Sequence, residues 1–469
     1  MVVKKTVENK NIDMARKIAA AVDKAGGKTY YVGGYVRDLL MGKENKDVDI
    51  EVHGITPQAL YAILDSLGER IGMGESFGIL GLRHYELDIS MPRKEKNTGR
   101  GHKDFEICVD PFLGEEKAAV RRDFTVNALM QDVLTGEVLD FFGGKEDIRN
   151  KVIRHVNDTT FAEDPLRVLR AAQFAARFGF TVAEETVDVS SRIELTALPG
   201  ERIMGELQKA LLKAEKPSVF FEQLRKMRQL SDRFPEVEAL IGVKQRPDFH
   251  PEGDVWNHTM QVLDEAAALR EQSEHPLYFM LAALCHDFGK SLVTEEQNGV
   301  LHALNHEVAG LPLAETFLRR LTNEKKLIDY VLDLIRYHMQ PNRLVGEHSH
   351  TKAFMKMFHK TQYPNDLLFL SKADYMGRAG AGESRAEMAA AYVPAEKKLG
   401  EMFALYRERM SAPYVMGEDL IQAGLKPGKA MGETLAYAEK LRLAGVPKDS
   451  QLKQAIAFAR GKSLFECEV

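Results

Sequence analysis

Residues 29–53 read TYYVGGYVRDLLMGKENKDVDIEVH, and this stretch decides the fold of the first third of the chain. TYYV is a short β-type run that stops at Gly33-Gly34. YVRDLLMG then starts a helix, and VDIEV reads as a further strand. Paired glycines after a strand let backbone come close to a phosphate, which the N–H groups of the helix start can cradle. Arg37 lies one turn into that helix and is expected to add charge against a triphosphate. Asp47 and Asp49 are two residues apart, so on a strand they point to the same side. Carboxylates held that way suit Mg²⁺, an ion that keeps substrate phosphates as ligands. Two such ions about 3.5–4 Å apart activate an attacking hydroxyl and stabilise a leaving pyrophosphate. Asp88, in HYELDIS, is the candidate for a third carboxylate.

Working outward, residues 11–25 have helical periodicity and end at Gly26-Gly27, while GILGLRHYELDIS and ICVD read as strands. The polar, basic segment 93–105, RKEKNTGRGHKDF, reads as a mobile loop. From Glu163 onward nearly every segment has helical spacing, among them PLRVLRAAQFAARFGF, GERIMGELQKALLKA and KLIDYVLDLIRYH. Breaks fall near Pro199-Gly200, near Lys216-Pro217, at 244–254 and at 379–387. There is no internal repeat. The expected class is α+β: a small α/β head over 1–155, a helical neck over 156–216, a helical body over 217–390 and a helical tail over 391–469.

The chain has 469 residues, which at roughly 150 per domain gives about three domains. Hydrophobic residues at 44% and charged residues at 28% exclude a disordered or collagen-like chain. No apolar run reaches the ~18 residues of a membrane span, and the N-terminus lacks an apolar signal region. Three widely spaced cysteines, Cys108, Cys285 and Cys467, argue against a disulfide framework and for a cytoplasmic setting. The net charge of −5 leaves nucleic-acid binding to local patches. Arg225, Lys226 and Arg228, with Lys352, Lys356 and Lys360, are the candidates. No feature of the sequence bears on oligomeric state.

GGYVRDLLMG…KDVDIEV resembles the signature of class II CCA-adding tRNA nucleotidyltransferases, which have a polymerase-β-like head. The resemblance continues in order through Arg121-Arg122-Asp123-Phe124-Thr125-Val126-Asn127-Ala128-Leu129, then DFFGGKEDIRNKVIRHV, similar to the family's following strand segment, and FAEDPLRVLRAAQFAARFGF, similar to its base-selecting helix. It spans about 190 residues, 29–215. It implies template-independent addition of C, C and A to a tRNA 3′ end from CTP and ATP. It also implies that Arg121 or Arg122 contacts triphosphate, that Asp123 supports the base-reading arginines and that Asn127 holds the ribose. Such an enzyme must read the incoming base with protein. Asp164, Arg167 and Arg170 are three apart, hence on successive helical turns beside Glu163. A carboxylate accepts from an exocyclic amine and a guanidinium donates to ring acceptors, so Asp164 with Arg167 can accept C and A and reject U and G. Many family members carry an arginine where this chain has Gln173, with Arg177 one turn later.

His258, His286-Asp287, His306, His338 and Asp374 together resemble the metal site of an HD domain. Helices can converge such residues in a bundle. Mixed imidazole and carboxylate ligands suit Mn, Fe, Co, Ni or Zn. The resemblance implies a phosphohydrolase for 2′,3′-cyclic phosphate ends or nucleotides. Lys290 reads as a phosphate contact or a solvated lysine, and Cys285 as a small buried residue. Two rival readings stand beside this one: a poly(A) polymerase or A-adding enzyme of the same fold, and an HD phosphohydrolase with a nucleotide-sensing head. A pure RNA-binding scaffold sits poorly with the intact Asp47/Asp49 pair.

Overall fold

The computed structural model describes residues 10–45, 47–72, 79–97, 105–380 and 384–461. Cys467 and the middle of the segment 93–105 lie outside the described residues. Two compact units are present: Met1–Ala210 with Val219–Arg233, and Leu211–Ser218 with Phe234–Val469.

The first unit holds β1 (Lys28–Val32), β2 (Val48–His53), β3 (Arg70–Gly72), β4 (Leu80–Leu82), β5 (Leu87–Ser90), β6 (Arg93–Asn97), β7 (Phe105–Val109), β8 (Met130–Asp132) and β9 (Val138–Leu139). Seven of them form one sheet in the order β3-β4-β5-β2-β1-β8-β9. β2 runs antiparallel to β1 and parallel to β5, with Asp49 opposite Asp88. The helix Lys10–Lys24 covers this sheet because Met14, Ala15, Ile18, Ala19 and Val22 recur at helical spacing and share a core with Val48, Ile50, Val52, Leu87 and Ile89.

Several local expectations need correction. GILGLRHYELDIS is two strands, since the chain turns between β4 and β5 with His84 at φ 72°. The flanks of the expected loop 93–105 pair as an antiparallel hairpin of β6 with β7. The strand-like stretch after Asp140 is mainly a helix, Gly144–Asn150, because Asp140 accepts from the backbone N–H of Gly144 and Lys145 at its first turn. FAEDPLRVLR is not one helix. Pro165 disfavours helical backbone at the residue before it, so one helix ends at Ala162 and the next runs Leu166–Phe178. The latter stops at Gly179, in the left-handed region at φ 68°.

Among its described residues the second unit is helical apart from one hairpin, Glu295–Gln297 with Val300–His302. Val255–Leu269, Pro276–Cys285, His306–Leu321, Lys325–Tyr337 and Pro364–Met376 form its bundle. Cys285 is fully buried, as its apolar segment suggested. Val415, Leu420, Leu425, Ala438, Ala455 and Ala459 make a separate small core for the C-terminal helices.

Candidate functional site

In the first unit the site assembles around β2. The backbone turns from β1 into the helix Gly34–Leu40 through Gly33, whose φ of 64° favours glycine. A Cβ at Gly33 would sit 3.2 Å from an Arg122 Nη and 3.8 Å from Asp49 Oδ2, so turn, arginine and carboxylate are neighbours. Asp49 is half-buried and Asp47, just before β2, is exposed. Burial, then the facing charge of Asp88, pushes the Asp49 carboxyl up to about 6, with Asp47 adding to it and Arg122 opposing it. A carboxylate raised in this way is one that a divalent cation relieves, and Asp49 with its neighbours Asp47 and Asp88 makes a donor set that fits Mg²⁺. Asn45 fixes the approach to β2: its Nδ2 donates to Asp38 and its Oδ1 accepts from the Asp47 N–H.

The two consecutive arginines diverge. Arg122 reaches Glu51 Oε2 at 3.4 Å and stays beside Gly33 and Asp49. Arg121 turns away and donates to the Arg93 carbonyl. Arg37, expected beside a triphosphate, is only 4% exposed. Its guanidinium donates to Asp38 Oδ1 at 2.8 Å and to Asn127 Oδ1 at 2.6 Å, and it lies 4.5 Å over the Phe178 ring. Direct contact with phosphate would mean breaking these bonds. Asn127 is likewise occupied, because its Nδ2 donates to Asp123. Asp123 Oδ2 then accepts from Nε and Nη2 of Arg170 at 2.9 and 2.7 Å. Burial would raise Asp123, but Arg170 and Asn127 together hold it below the usual carboxylate range. A continuous hydrogen-bonded chain therefore runs Arg37–Asn127–Asp123–Arg170, buried at Arg37 and Asn127 and partly exposed at Arg170.

Asp164 and Arg167 are near in sequence but do not pair through their side chains. Asp164 meets Arg202, whose Nη2 lies 3.0 Å from Oδ2. Arg167 donates to the carbonyls of Thr160 and Arg121 at 2.7 and 3.0 Å. Gln173 is buried with its amide nitrogen unpartnered, and Arg177 stacks on Phe178. Arg225 and Lys226 end the helix Ser218–Lys226, where Lys226 pairs with Glu184 at 2.6 Å; Arg228 follows at φ 57°.

In the second unit all six sequence candidates converge. His286 Nε2 lies 3.2 Å and His258 Nε2 3.6 Å from Asp287 Oδ2. On the other carboxylate oxygen, Oδ1, His306 Nε2 lies at 3.1 Å and His338 Nε2 at 3.8 Å. His258 Nε2 is also 3.1 Å from Asp374 Oδ1. Donors bound at ~2.0–2.2 Å around one ion are roughly 3–3.5 Å apart; the separations of 3.1, 3.1 and 3.2 Å match this, and those of 3.6 and 3.8 Å are slightly longer. The Nδ1 atoms of His286, His306 and His338 face the carbonyls of Ala283, Ala303 and Ile335, leaving each Nε2 for a metal. His286 Nε2 and both Asp287 oxygens are buried without a well-aligned hydrogen bond, an orphaned set that a cation satisfies. Burial, with His286 and His306 close by, pushes His338 down to about 3, the neutral form a metal needs. Lys290 is not solvated: it is buried, 2.7 Å from Asp287 Oδ2, and donates to Gln245. A cavity of about 280 Å³ opens over the cluster, with Lys244, Arg246, Lys290 and Arg378 in its wall.

Residues 29–154 match the family model of the poly A polymerase head domain and residues 255–391 that of the HD domain. The multifunctional CCA protein of Actinobacillus pleuropneumoniae serotype 5b (strain L20) is 36% identical over 362 residues, covering 75% of this chain and 86% of that protein. That of Shewanella denitrificans is 37% identical over 377 residues, covering 78% and 88%. This chain belongs to the multifunctional CCA protein family. Its fold agrees with that of solved CCA-adding enzymes. An apo form superposes with a TM-score of 0.65 at 20% identity over 96% of this chain and 95% of that one. The Bacillus stearothermophilus enzyme in complex with CTP gives 0.64 at 20% identity over 96% and 98%.

Four residues of this family member stand in the sites without having been singled out in the sequence. Arg202 holds Asp164, although 38 residues separate them. Glu51 continues the Asp47, Asp49 alternation along β2, a signal that could have found it, and holds Arg122. Glu252 Oε1 lies 2.7 Å from His258 Nδ1 and 2.8 Å from His250 Nδ1. Burial would raise the Glu252 carboxyl, but these two histidines hold it down at about 2.

Proposed function

We propose that this protein adds C, C and A to the 3′ end of tRNA from CTP and ATP without a nucleic-acid template, releasing pyrophosphate. The observation that carries the reading is the placement of Asp49 opposite Asp88 and against the Gly33 turn, with Arg122 alongside. Asp47, Asp49 and Asp88 would hold Mg²⁺, which when bound supplies the charge that activates the primer hydroxyl and stabilises the leaving pyrophosphate. The primer 3′-oxygen bonds to the α-phosphorus as the bond to the departing pyrophosphate breaks. Gly33, Gly34 and Arg122 position the triphosphate, and Glu51 steadies Arg122. Arg37 and Asn127 act from behind, through Asp123, to fix Arg170. Asp164, braced by Arg202, accepts from the amine of C or A, and Arg167 and Arg170 donate to the ring acceptors. The basic residues Arg225, Lys226 and Arg228 would meet the RNA backbone.

The six converging ligands of the second unit support a metal-dependent phosphohydrolase acting on cyclic phosphate ends or nucleotides, with Mn, Fe, Co, Ni or Zn. Cys108 and Cys285 are both free, which fits a cytoplasmic setting. No helix among the described residues is long and apolar enough to cross a membrane.

The test is addition to tRNA lacking its terminal CCA, with each nucleotide supplied singly and then together. Incorporation of C followed by one A supports the reading. Long A tails would instead favour polyadenylation, the activity suggested by the description of the matched head model. Asp47→Ala should abolish addition and spare hydrolysis, and His286→Ala the reverse; retained addition in Asp47→Ala contradicts the site.

A further inference from the structure

The wall of the metal-site cavity contains an exposed phenyl ring, which phosphate chemistry does not require. Phe249 is 54% exposed, in a pocket whose wall combines its charged groups with Leu301, Ala303 and Met339. The Arg246 guanidinium lies 4.6 Å over its ring. The segment carrying both is tied to the metal ligands at each end. Gln245 accepts from Lys290, which contacts Asp287, and Glu252 meets His258. Between these ties the backbone N–H groups of Phe249 and His250 both donate to the Arg246 carbonyl, closing a tight turn. The backbone that carries the ring is thus held relative to Asp287 and Asp374, which line the same cavity.

An exposed ring beside a metal and a cationic wall has the chemistry of a stacking platform: every base has a π-face, and such stacking is independent of sequence. The volume of about 280 Å³ lies just below the ~300–1,000 Å³ of small-molecule sites and suits a small ligand. We propose that Phe249, backed by Arg246, is a nucleobase platform, so that this site selects phosphate esters carrying a base over phosphate esters in general. The proposal rests on the phosphohydrolase reading of the same cavity. In the step it serves, the oxygen of one water bonds to phosphorus of a 2′,3′-cyclic phosphate. One ring P–O bond breaks, and the departing ribose oxygen takes up a proton as a hydroxyl.

The experiment uses the full chain reconstituted in turn with Mn²⁺, Co²⁺ and Ni²⁺. It compares adenosine 2′,3′-cyclic phosphate with glycerol 1,2-cyclic phosphate, which has the same ring and no base. Phe249→Ala should raise KM for the adenosine ester by about 5- to 150-fold, the span of alanine effects at base-stacking sites. It should leave kcat, the base-less ester and CCA addition unchanged, and Phe249→Trp should restore KM. An unchanged KM, or an equal loss on both esters, overturns the proposal. Binding of adenosine 3′-phosphate, followed by calorimetry in wild type and Phe249→Ala, separates the two readings. If neither ester is hydrolysed yet Phe249→Ala weakens binding, the hydrolase reading falls and the platform stands; if binding is also unaffected, both fall.

Discussion

Burial and the facing carboxylate of Asp88 raise Asp49 to about 6, so this group opposes folding at neutral pH in the absence of a cation. Its folded pKa lies above the ordinary carboxylate value. Protonation therefore favours the native state at low pH, and that contribution is lost as pH rises toward 6. Asp49→Asn should then raise the unfolding free energy in chelator at pH 7.5 by up to about 3 kcal/mol, the equivalent of the shift. The gain should vanish below pH 4, and saturating Mg²⁺ should reverse the order of the two proteins. Denaturant titrations at both pH values check this; a variant no more stable than wild type at pH 7.5 removes the electrostatic account of the site. At the metal cluster, the group that faces His258 Nδ1 is Glu252, 2.7 Å away, whereas the Nδ1 atoms of the other three histidines face backbone carbonyls. Glu252→Ala should weaken Ni²⁺ or Co²⁺ binding by about 10- to 100-fold while CCA addition continues. An unaltered Kd in competition with a chelator would show that Glu252 positions nothing. The six candidate ligands could be named from the sequence because histidine and aspartate in motif spacing point to metal chemistry, and the fold brings them together. Glu252 and Arg202 could not, because an acid or a base far along the chain acquires meaning only from the neighbour that folding gives it.

Periodicity carried most of the secondary structure, because amphipathic helices such as Lys10–Lys24 write their buried face into the sequence. It missed the features in which one element depends on another. The pairing of β6 with β7 sets a polar flank, RKEKN, that looks like loop in isolation against a strand that the sequence does show. The parallel register of β2 with β5, which sets Asp49 against Asp88, is decided by a crossover that no local pattern encodes. Gly289, three residues after His286, belongs to the same class. A Cβ there would lie 2.0 Å from the carbonyl oxygen of His306, so its absence lets the helix His306–Leu321 approach the His286-Asp287 doublet. Gly289→Ala must push that helix away and carry His306 off Asp287. The expected cost is about 1–3 kcal/mol of stability, together with loss of tight metal binding. Thermal melts with and without metal test it, and an unchanged metal-induced shift in Tm would contradict the close-approach argument.

Each of the two compact units has its own core and its own ligand chemistry. The first combines a sheet core with a carboxylate triad suited to magnesium and nucleotide. The second buries two carboxylates and four histidines in one cluster, with Lys290 on Asp287 and Arg378 on Asp374. A ligand that binds only the native state stabilises the unit holding its site by about 2.7 kcal/mol at one hundred times its Kd. Scanning calorimetry of the chelated protein should accordingly resolve two transitions. CTP with Mg²⁺ should move the one belonging to the head, and a transition metal should move the other by several degrees. His286→Ala should abolish the second shift and leave the first intact, which identifies each transition without assuming its order on the temperature axis. A single transition displaced equally by both ligands would mean that the cores do not melt separately, and every inference that treats the two chemistries as independent would have to be revised.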